Sequence, residues 1–269
     1  MNNIRSCLRS ALIATAFVAL FAETTPAQPA PSATIVRTVL ALTSLPSAVD
    51  APLFFKLSKI ELAVGQTTKY SGPVGFLYVL SGTLAVQTDA GQRSLQPDDA
   101  FLVTAGNTHS LNASGSQAAQ FLYFVLARSS ELDQPAEQPP AVVNELYRTP
   151  RAIPDLKPGR YEFTLTRVSY PRMDPNPPHY RSGAALCYVR SGSGIFIADG
   201  KTETKEIGAS HFEPHGWVHQ WANSSDAPLG PVAGKHQRGR CSGRHHAPAA
   251  PVDAGTKIAA LGLPYSTQS

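Results

Sequence analysis

Residues 208–223 read GASHFEPHGWVHQWAN. The spacing is Gly208, five residues, Pro214, one residue, Gly216, two residues, His219, three residues, Asn223. Pro fixes φ and Gly admits a left-handed position, so Pro214-His215-Gly216 predicts a tight turn. Apolar and aromatic residues on either side predict a strand before the turn, Ser210–Glu213, and one after it, Trp217–Ala222. His219 then stands at the start of the second strand and points inward.

Working outward, the same arrangement is found earlier in the chain. Tyr78-Val79-Leu80-Ser81-Gly82 matches Tyr188-Val189-Arg190-Ser191-Gly192 at an offset of 110. Gly106 matches Gly216 and His109 matches His219 at that same offset. A shared offset with no slip marks an internal duplication. Short strand-like runs fill both copies, among them Leu53–Leu62, Gly75–Leu80, Phe121–Ala127, Tyr161–Tyr170, Ala184–Arg190 and Gly194–Ala198. Turn signals such as Asp89-Ala90-Gly91 and Asp199-Gly200 separate them, so the fold class is all-β, a sandwich or barrel.

The 208–223 spacing resembles the second cupin motif at every defined position. With the duplication, the chain resembles a bicupin of the small quercetin-dioxygenase-like, cupin type-2 kind. That resemblance implies two tandem jelly-roll barrels, at 50–128 and 142–229. Residues 28–49 are then a leader and first strand, and the Pro- and Gln-rich stretch 129–141 is a linker.

Cupin enzymes usually hold Fe, Mn or another divalent ion with three His and one Glu. Counting back from Gly192, the second copy has His179, Arg181 and Ala185 at the first-motif positions, and His219 at the second. The first copy has Lys69, Ser71 and Gly75, with His109 from the second motif, and is expected to lack a metal. It also has Asp98 where the motif Gly belongs and Thr104 where the Pro belongs. Arg keeps its proton in proteins, so Arg181 argues against a cation beside it. The metal pair His179 and His219 reads as vestigial, and no cofactor is expected. Zn or Cu on His179, His219 and Cys187, or an Fe, Mn or Zn enzyme of dioxygenase or isomerase type, is the alternative.

The ligand-binding reading uses the same residues differently. Arg181 facing the cavity suits a carboxylate or phosphate on a small ligand. Trp221 shares the face of His219 and adds an aromatic wall, and Cys187 faces inward with position 185. The bland alternative turns Arg181 outward to pair with an acid such as Asp174, and leaves Cys187 as a small apolar filler. His211 and His215 read as solvated residues near the rim. Nothing matches a nucleophile elbow, a Cys–His signature or a phosphate-cradling loop.

The formal charge is +4, from 23 bases and 19 acids. Residues 1–27 hold two of those bases and one acid, and residues 230–269 hold five bases and one acid. The remaining 16 bases and 17 acids leave the body at about −1, so no nucleic-acid partner is expected. Arg5 and Arg9, the apolar run Ala11–Ala22 and Thr25-Pro26-Ala27 predict a signal peptide over 1–27. The mature chain is then exported to periplasm or medium, without a membrane span. It keeps Cys187 and Cys241, too few to define a disulfide framework.

Past residue 229 the composition turns basic and rich in Gly, Arg, Ala and Pro. Only five of the last 40 residues are Val, Ile, Leu or Phe. This predicts a disordered tail over 230–269 and a second barrel without its closing strand, as a change of reading frame near codon 230 would produce. The partners expected are a small, anionic ligand and, by family habit, a second copy in a homodimer.

Overall fold

The computed structural model describes residues 34–45, 52–154 and 159–238. Strands are numbered along the chain. Around the first repeat lie β2 (Leu53–Leu62), β3 (Thr67–Tyr70), β4 (Gly75–Ser81), β5 (Leu84–Thr88), β6 (Gly91–Leu95), β7 (Ala100–Val103), β8 (His109–Ala113), β9 (Ala119–Arg128) and β10 (Val142–Arg148). They form a five-stranded sheet, β10-β2-β9-β4-β7, and a four-stranded sheet, β3-β8-β5-β6. The second unit is built from β1 (Val36–Leu45), β11 (Tyr161–Ser169), β12 (Gly183–Ser191), β13 (Gly194–Ala198), β14 (Lys201–Lys205), β15 (Ser210–Glu213), β16 (His219–Ala222) and β17 (Gly230–Arg238). Its sheets run β1-β11-β17-β12-β15 and β14-β13-β16. Adding 110 to the bounds of β5, β6 and β7 gives those of β13, β14 and β15. The duplication seen in sequence is therefore a duplication of structure.

Strand alternation explains the cores. Phe121, Tyr123 and Val125 of β9 face Leu84, Val86 and Leu111, which fill the first unit. Leu122, Phe124 and Leu126 face the other way, against Phe163, Leu165, Leu186 and Val232 of the second unit's large sheet. Both faces of β9 are covered, which is why 121–126 is an unbroken apolar run. Each such large side chain contributes about 1.5–3 kcal/mol of burial. The second unit's interior is smaller in apolar content: Val168, Tyr170, Val189, Phe196, Trp221 and Leu229. Ala185, Cys187 and Ala233 form a second small cluster, and beside it lie the buried polar residues of the site.

Two edge strands are exchanged between the repeats. β1, which precedes the first repeat, adds to the second unit along β11, with Val36 opposite Ser169 and Leu45 opposite Tyr161. β10, which opens the second repeat, adds to the first unit along β2, with Val142 opposite Glu61. The divisions drawn between 49 and 50 and between 141 and 142 thus separate repeats in sequence, while the sheets run across them. The Pro-rich stretch 129–141 is more than a tether. Ser71 N–H donates to the Ala136 carbonyl at 2.9 Å, Gln138 N–H donates to that of Lys69 at 3.0 Å, and Tyr70 bridges Glu137.

The expected tail is corrected as far as residue 238. Gly230–Arg238 is the closing strand of the second unit, seated between β11 and β12. Its small residues are required by packing. A Cβ at Gly234 would lie 3.1 Å from Phe124 Cδ1, and one at Gly230 only 2.5 Å from Ser191 Oγ. The strand falls where β9 falls after the 110 offset, so no change of frame at codon 230 is needed to explain it. The signal-peptide expectation, Cys241 and the chain beyond 238 lie outside the described residues. Among the described residues no helix is long and apolar enough to cross a membrane.

Candidate functional site

One row of residues organises the second unit. On β12, Ala185 has Lys235 of β17 as its partner on one side and Glu213 of β15 on the other. Cys187, two residues on, has Ala233 and His211. Alternation sends all of these to the interior face. Glu213 is fully buried, and His211, Cys187 and His219 are buried beside it. His211 therefore does not lie at a solvated rim; its strand carries it inward. His215, in the turn, is exposed.

Four side chains converge on the Glu213 carboxylate. Arg181 Nε donates to Oε2. Oε1 receives His211 Nε2 at 3.2 Å, Trp221 Nε1 at 3.5 Å, and lies 3.5 Å from His219 Nε2. Arg181 thus points into the cavity and pairs with Glu213, not outward toward Asp174. Cys187 Sγ, His211 and Glu213 offer ligand atoms within 4.8 Å of one another.

The two motif histidines are held as a pair. Their backbones bridge, His179 N–H to the His219 carbonyl at 3.1 Å and the reverse at 2.9 Å. Their ring centroids are 4.5 Å apart. His219 Nδ1 contacts the Trp217 carbonyl at 3.0 Å, and His179 Nδ1 the Pro177 carbonyl at 3.1 Å. A carbonyl only accepts, so this assigns the ring proton to Nδ1 and the lone pair to Nε2 in each. His219 Nε2 is buried with no hydrogen-bond partner.

The electrostatics follow from burial and pairing. Burial pushes the Glu213 carboxyl up, but the Arg181 charge and the His211 hydrogen bond outweigh it and hold it well below the usual range. Burial lowers His179 and His219. Burial, then the Glu213 charge, raises the Cys187 thiol far above its usual value. Lys235 is lowered to about 8 by burial and then by Arg181. A cleft of about 280 Å³ opens beside this network, lined by Arg37, His179, Tyr180, Arg181, Lys235 and Gln237 among others.

Of the sequence candidates, Arg181, Cys187, His219 and Trp221 gather around Glu213, with His179 beside His219; His179 and Arg181 line the cleft, whereas Cys187, His219 and Trp221 lie buried behind it. Glu213 and Lys235 were not among the candidates. The alternation of His211 with Glu213 ahead of Pro214 carried the signal for the first, and the tail reading hid the second. Arg37 comes from the exchanged strand and had no local signal. In the first unit, His109 packs edge-on to Phe101 with ring centroids 5.5 Å apart, and both its ring nitrogens lack partners. Lys69 and His109 line an open cleft there with Gln87, Asp89 and Asn107.

At the four positions where the resemblance places metal ligands, the second unit offers only His179 and His219. Counting β15 as well, Cys187, His211 and Glu213 bring donor atoms within 4.8 Å of one another, with His219 Nε2 3.5 Å from Glu213. That donor set suits a divalent transition metal, which would supply Lewis-acid or redox chemistry when bound.

A cupin-domain family model matches residues 62–125. No curated protein matches the chain. Among solved structures, AerE from Microcystis aeruginosa is 16% identical with a TM-score of 0.50, over 72% of this chain and 97% of that one. A mutant of salicylate 1,2-dioxygenase from Pseudoaminobacter salicylatoxidans is 12% identical with a TM-score of 0.48, over 78% and 86%. Oxalate decarboxylase from Bacillus subtilis, a protein described with Mn(II) centres, is 12% identical with a TM-score of 0.49, over 76% and 78%. At these identities the likeness is one of fold.

Proposed function

We propose that this chain is a bicupin whose second barrel binds a small organic anion, with the first barrel, where the cupin-domain model matches, as its structural support. The observation that carries this is the lining of the 280 Å³ cleft: Arg37, Arg181 and Lys235 beside His179. One of the three cations is matched by Glu213, which leaves the cleft positive. Arg181 presents a planar fork suited to a carboxylate, Lys235 a second donor, and Tyr180 adds an exposed ring at the mouth. The volume suits a ligand smaller than a drug molecule. The basic and apolar N-terminus supports export, so the ligand is met in periplasm or medium.

Binding is what these residues supply by themselves. A second reading, a metal-dependent enzyme of dioxygenase or isomerase type, is favoured by one observation: the approach of His211 and His219 to a single Glu213 oxygen.

The test is calorimetric titration of the full chain with small mono- and dicarboxylates. Binding that weakens in both Arg37→Met and Lys235→Met supports the reading. Carboxylates that fail to bind at millimolar concentration, or that bind both variants as well as the parent, overturn it.

A further inference from the structure

Within the repeated pentapeptide, Tyr78–Gly82 and Tyr188–Gly192 differ at one place only: Leu80 of the first copy is Arg190 in the second. The two counterparts meet, since Arg190 Nη2 donates to the Leu80 carbonyl at 3.1 Å. Arg190 follows Leu186 and Tyr188 on the face of β12 that packs into the apolar layer between the units. Arg167 stands in the same relation to Phe163 and Leu165 of β11. The second unit's large sheet is thus apolar where it is covered and ends in two guanidinium groups. With Thr38 of β1, Asp98 of the first unit, Ser169 and Ser191, they line a cleft of about 430 Å³. We propose that this cleft binds a phosphoryl group, carried by free phosphate or by a small phosphate ester.

Three observations point to an oxyanion there. First, the lining carries two guanidinium charges against the single carboxylate of Asp98, so the cleft is positive. Second, Asp98 does not saturate the two arginines. Arg190 Nε lies 3.4 Å from Oδ1 and Arg167 Nη1 lies 3.8 Å from Oδ2, contacts of charge rather than hydrogen bonds. Among the described residues Arg190 Nε has no hydrogen-bond partner, and Oδ1 is taken by the Tyr78 hydroxyl. Third, the cleft is kept open by a residue without a side chain. A Cβ on Gly230 would lie only 2.5 Å from Ser191 Oγ, so any larger residue would displace that hydroxyl from the lining.

The arrangement selects a phosphoryl group over a carboxylate. Both arginines approach the oxygens of one carboxylate, so they stand on either side of a single small group. A carboxylate has two oxygens and is satisfied by one planar fork. A tetrahedral phosphate turns oxygens in several directions and can engage two forks and the neighbouring hydroxyls together. The volume exceeds that of the ion alone and falls within the range of about 300–1,000 Å³ usual for small-ligand sites. The carboxylate cleft is separate: the two linings share no residue, and Arg37 and Thr38, adjacent on β1, belong to opposite faces. Asp98 holds the two guanidinium groups together and opposes an anion that enters between them.

The test is calorimetric titration of the full chain, in phosphate-free buffer, with inorganic phosphate and with glycerol phosphate. Expected is binding in the millimolar range or tighter, weakened at least about tenfold in Arg167→Met and in Arg190→Met. Asp98→Asn keeps a residue that tolerates positive φ and should bind phosphate more tightly than the parent, because the opposing charge is gone. That gain does not depend on the arginine variants, and a purely structural role for Asp98 would not produce it. Urea midpoints confirm that each variant folds. Tighter binding of the ester than of the ion assigns the cleft to esters, and equal or weaker binding assigns it to the free ion. Absence of binding of either probe by the parent overturns the proposal, as does undiminished binding in both arginine variants or weaker binding in Asp98→Asn. Phosphate binding lost in Lys235→Met but kept in Arg167→Met and Arg190→Met would belong to the carboxylate cleft and also overturns it. The carboxylate titrations are read on Arg37 and Lys235, so the two clefts can fail independently.

Discussion

Glu213 stands directly across the ladder from Ala185, and its carboxylate is held on one oxygen by Arg181. A carboxylate with no exposure survives in a protein interior only when its charge is matched. Arg181, at the position of a lost imidazole, supplies the match. The two departures from the family pattern, Arg181 and Ala185, are therefore coupled through a third residue that the motif does not include.

Removing one partner should expose that coupling. Arg181→Leu leaves Glu213 buried and uncompensated, and should cost about 3–5 kcal/mol in urea unfolding. Adding Glu213→Leu should recover most of the loss. The pH dependence should also invert. In the parent, Glu213 is held below its ordinary value of 4.5, so its contribution is complete above that value and is lost as pH falls toward the folded-state pKa. In Arg181→Leu, burial is opposed only by His211 and His219 and raises the pKa, so the variant should gain stability as pH falls from about 7 to about 5. A variant with the parent's midpoint at both pH values would show that the pair is not structural.

Part of this was open to reading from the sequence, and the limits are physical. The turn at Pro214–Gly216, the inward His219 and the 110-residue offset depend on local residue chemistry, and the structure bears out that fold. The strand exchange does not. β1 and β10 are equivalent edge strands, and either sheet could accept either of them by pattern alone. β17 was hidden because its apolar content is low. The partner face supplies the bulk there, as Phe124 does over Gly234. Glu213 was missed because a polar residue on a short strand normally marks the solvent face, and only the cavity's own cations reverse that rule. The offset itself held the correction for β17, since β9 displaced by 110 covers it.

The closing strand gives the next expected outcome. Gly234→Leu drives a branched side chain into Phe124 and Phe163, whose atoms would already lie 3.1 and 3.4 Å from the new Cβ. Overpacking of this kind costs about 1–3 kcal/mol. Ending the chain at Leu229 removes the strand between β11 and β12 and should abolish cooperative unfolding of the second unit. Retention of the parent's denaturation midpoint by the shortened chain would contradict the placement of β17.

Asp98 joins the two units, and its substitutions should separate backbone strain from ion pairing. It sits at φ 72°, lies 3.4 Å from Arg190 Nε and 3.8 Å from Arg167 Nη1, and accepts from the Tyr78 hydroxyl. With 43% of its side chain exposed, each ion pair is worth about 0–1 kcal/mol. Asp98→Gly loses the pairs but relieves a left-handed residue, worth about 1 kcal/mol, and should unfold within about 1 kcal/mol of the parent. Asp98→Val loses the pairs and places a β-branched residue at positive φ, so it should fall by about 2 kcal/mol or more. Equal stabilities for the two variants in guanidinium titrations would remove backbone conformation from the account.

Lys235 should give opposite pH signs for stability and for binding. Burial and the Arg181 charge lower its pKa to about 8, against 10.5 for the ordinary amine; Cys187 and Glu213 raise it, Arg37 lowers it. Between those values the unfolded chain holds a proton that the folded chain does not, so stability rises with pH across that window. Carboxylate binding needs the charged amine and should weaken as pH climbs through about 8, while Arg37 and Arg181 stay charged. Lys235→Met should remove both inflections. It should also weaken binding about tenfold to a hundredfold near neutral pH, the worth of one charge-assisted hydrogen bond. Titrations at several pH values, each paired with a urea midpoint, read both signs in one sample series. If affinity and stability rise together above about pH 8, the amine does not hold the ligand.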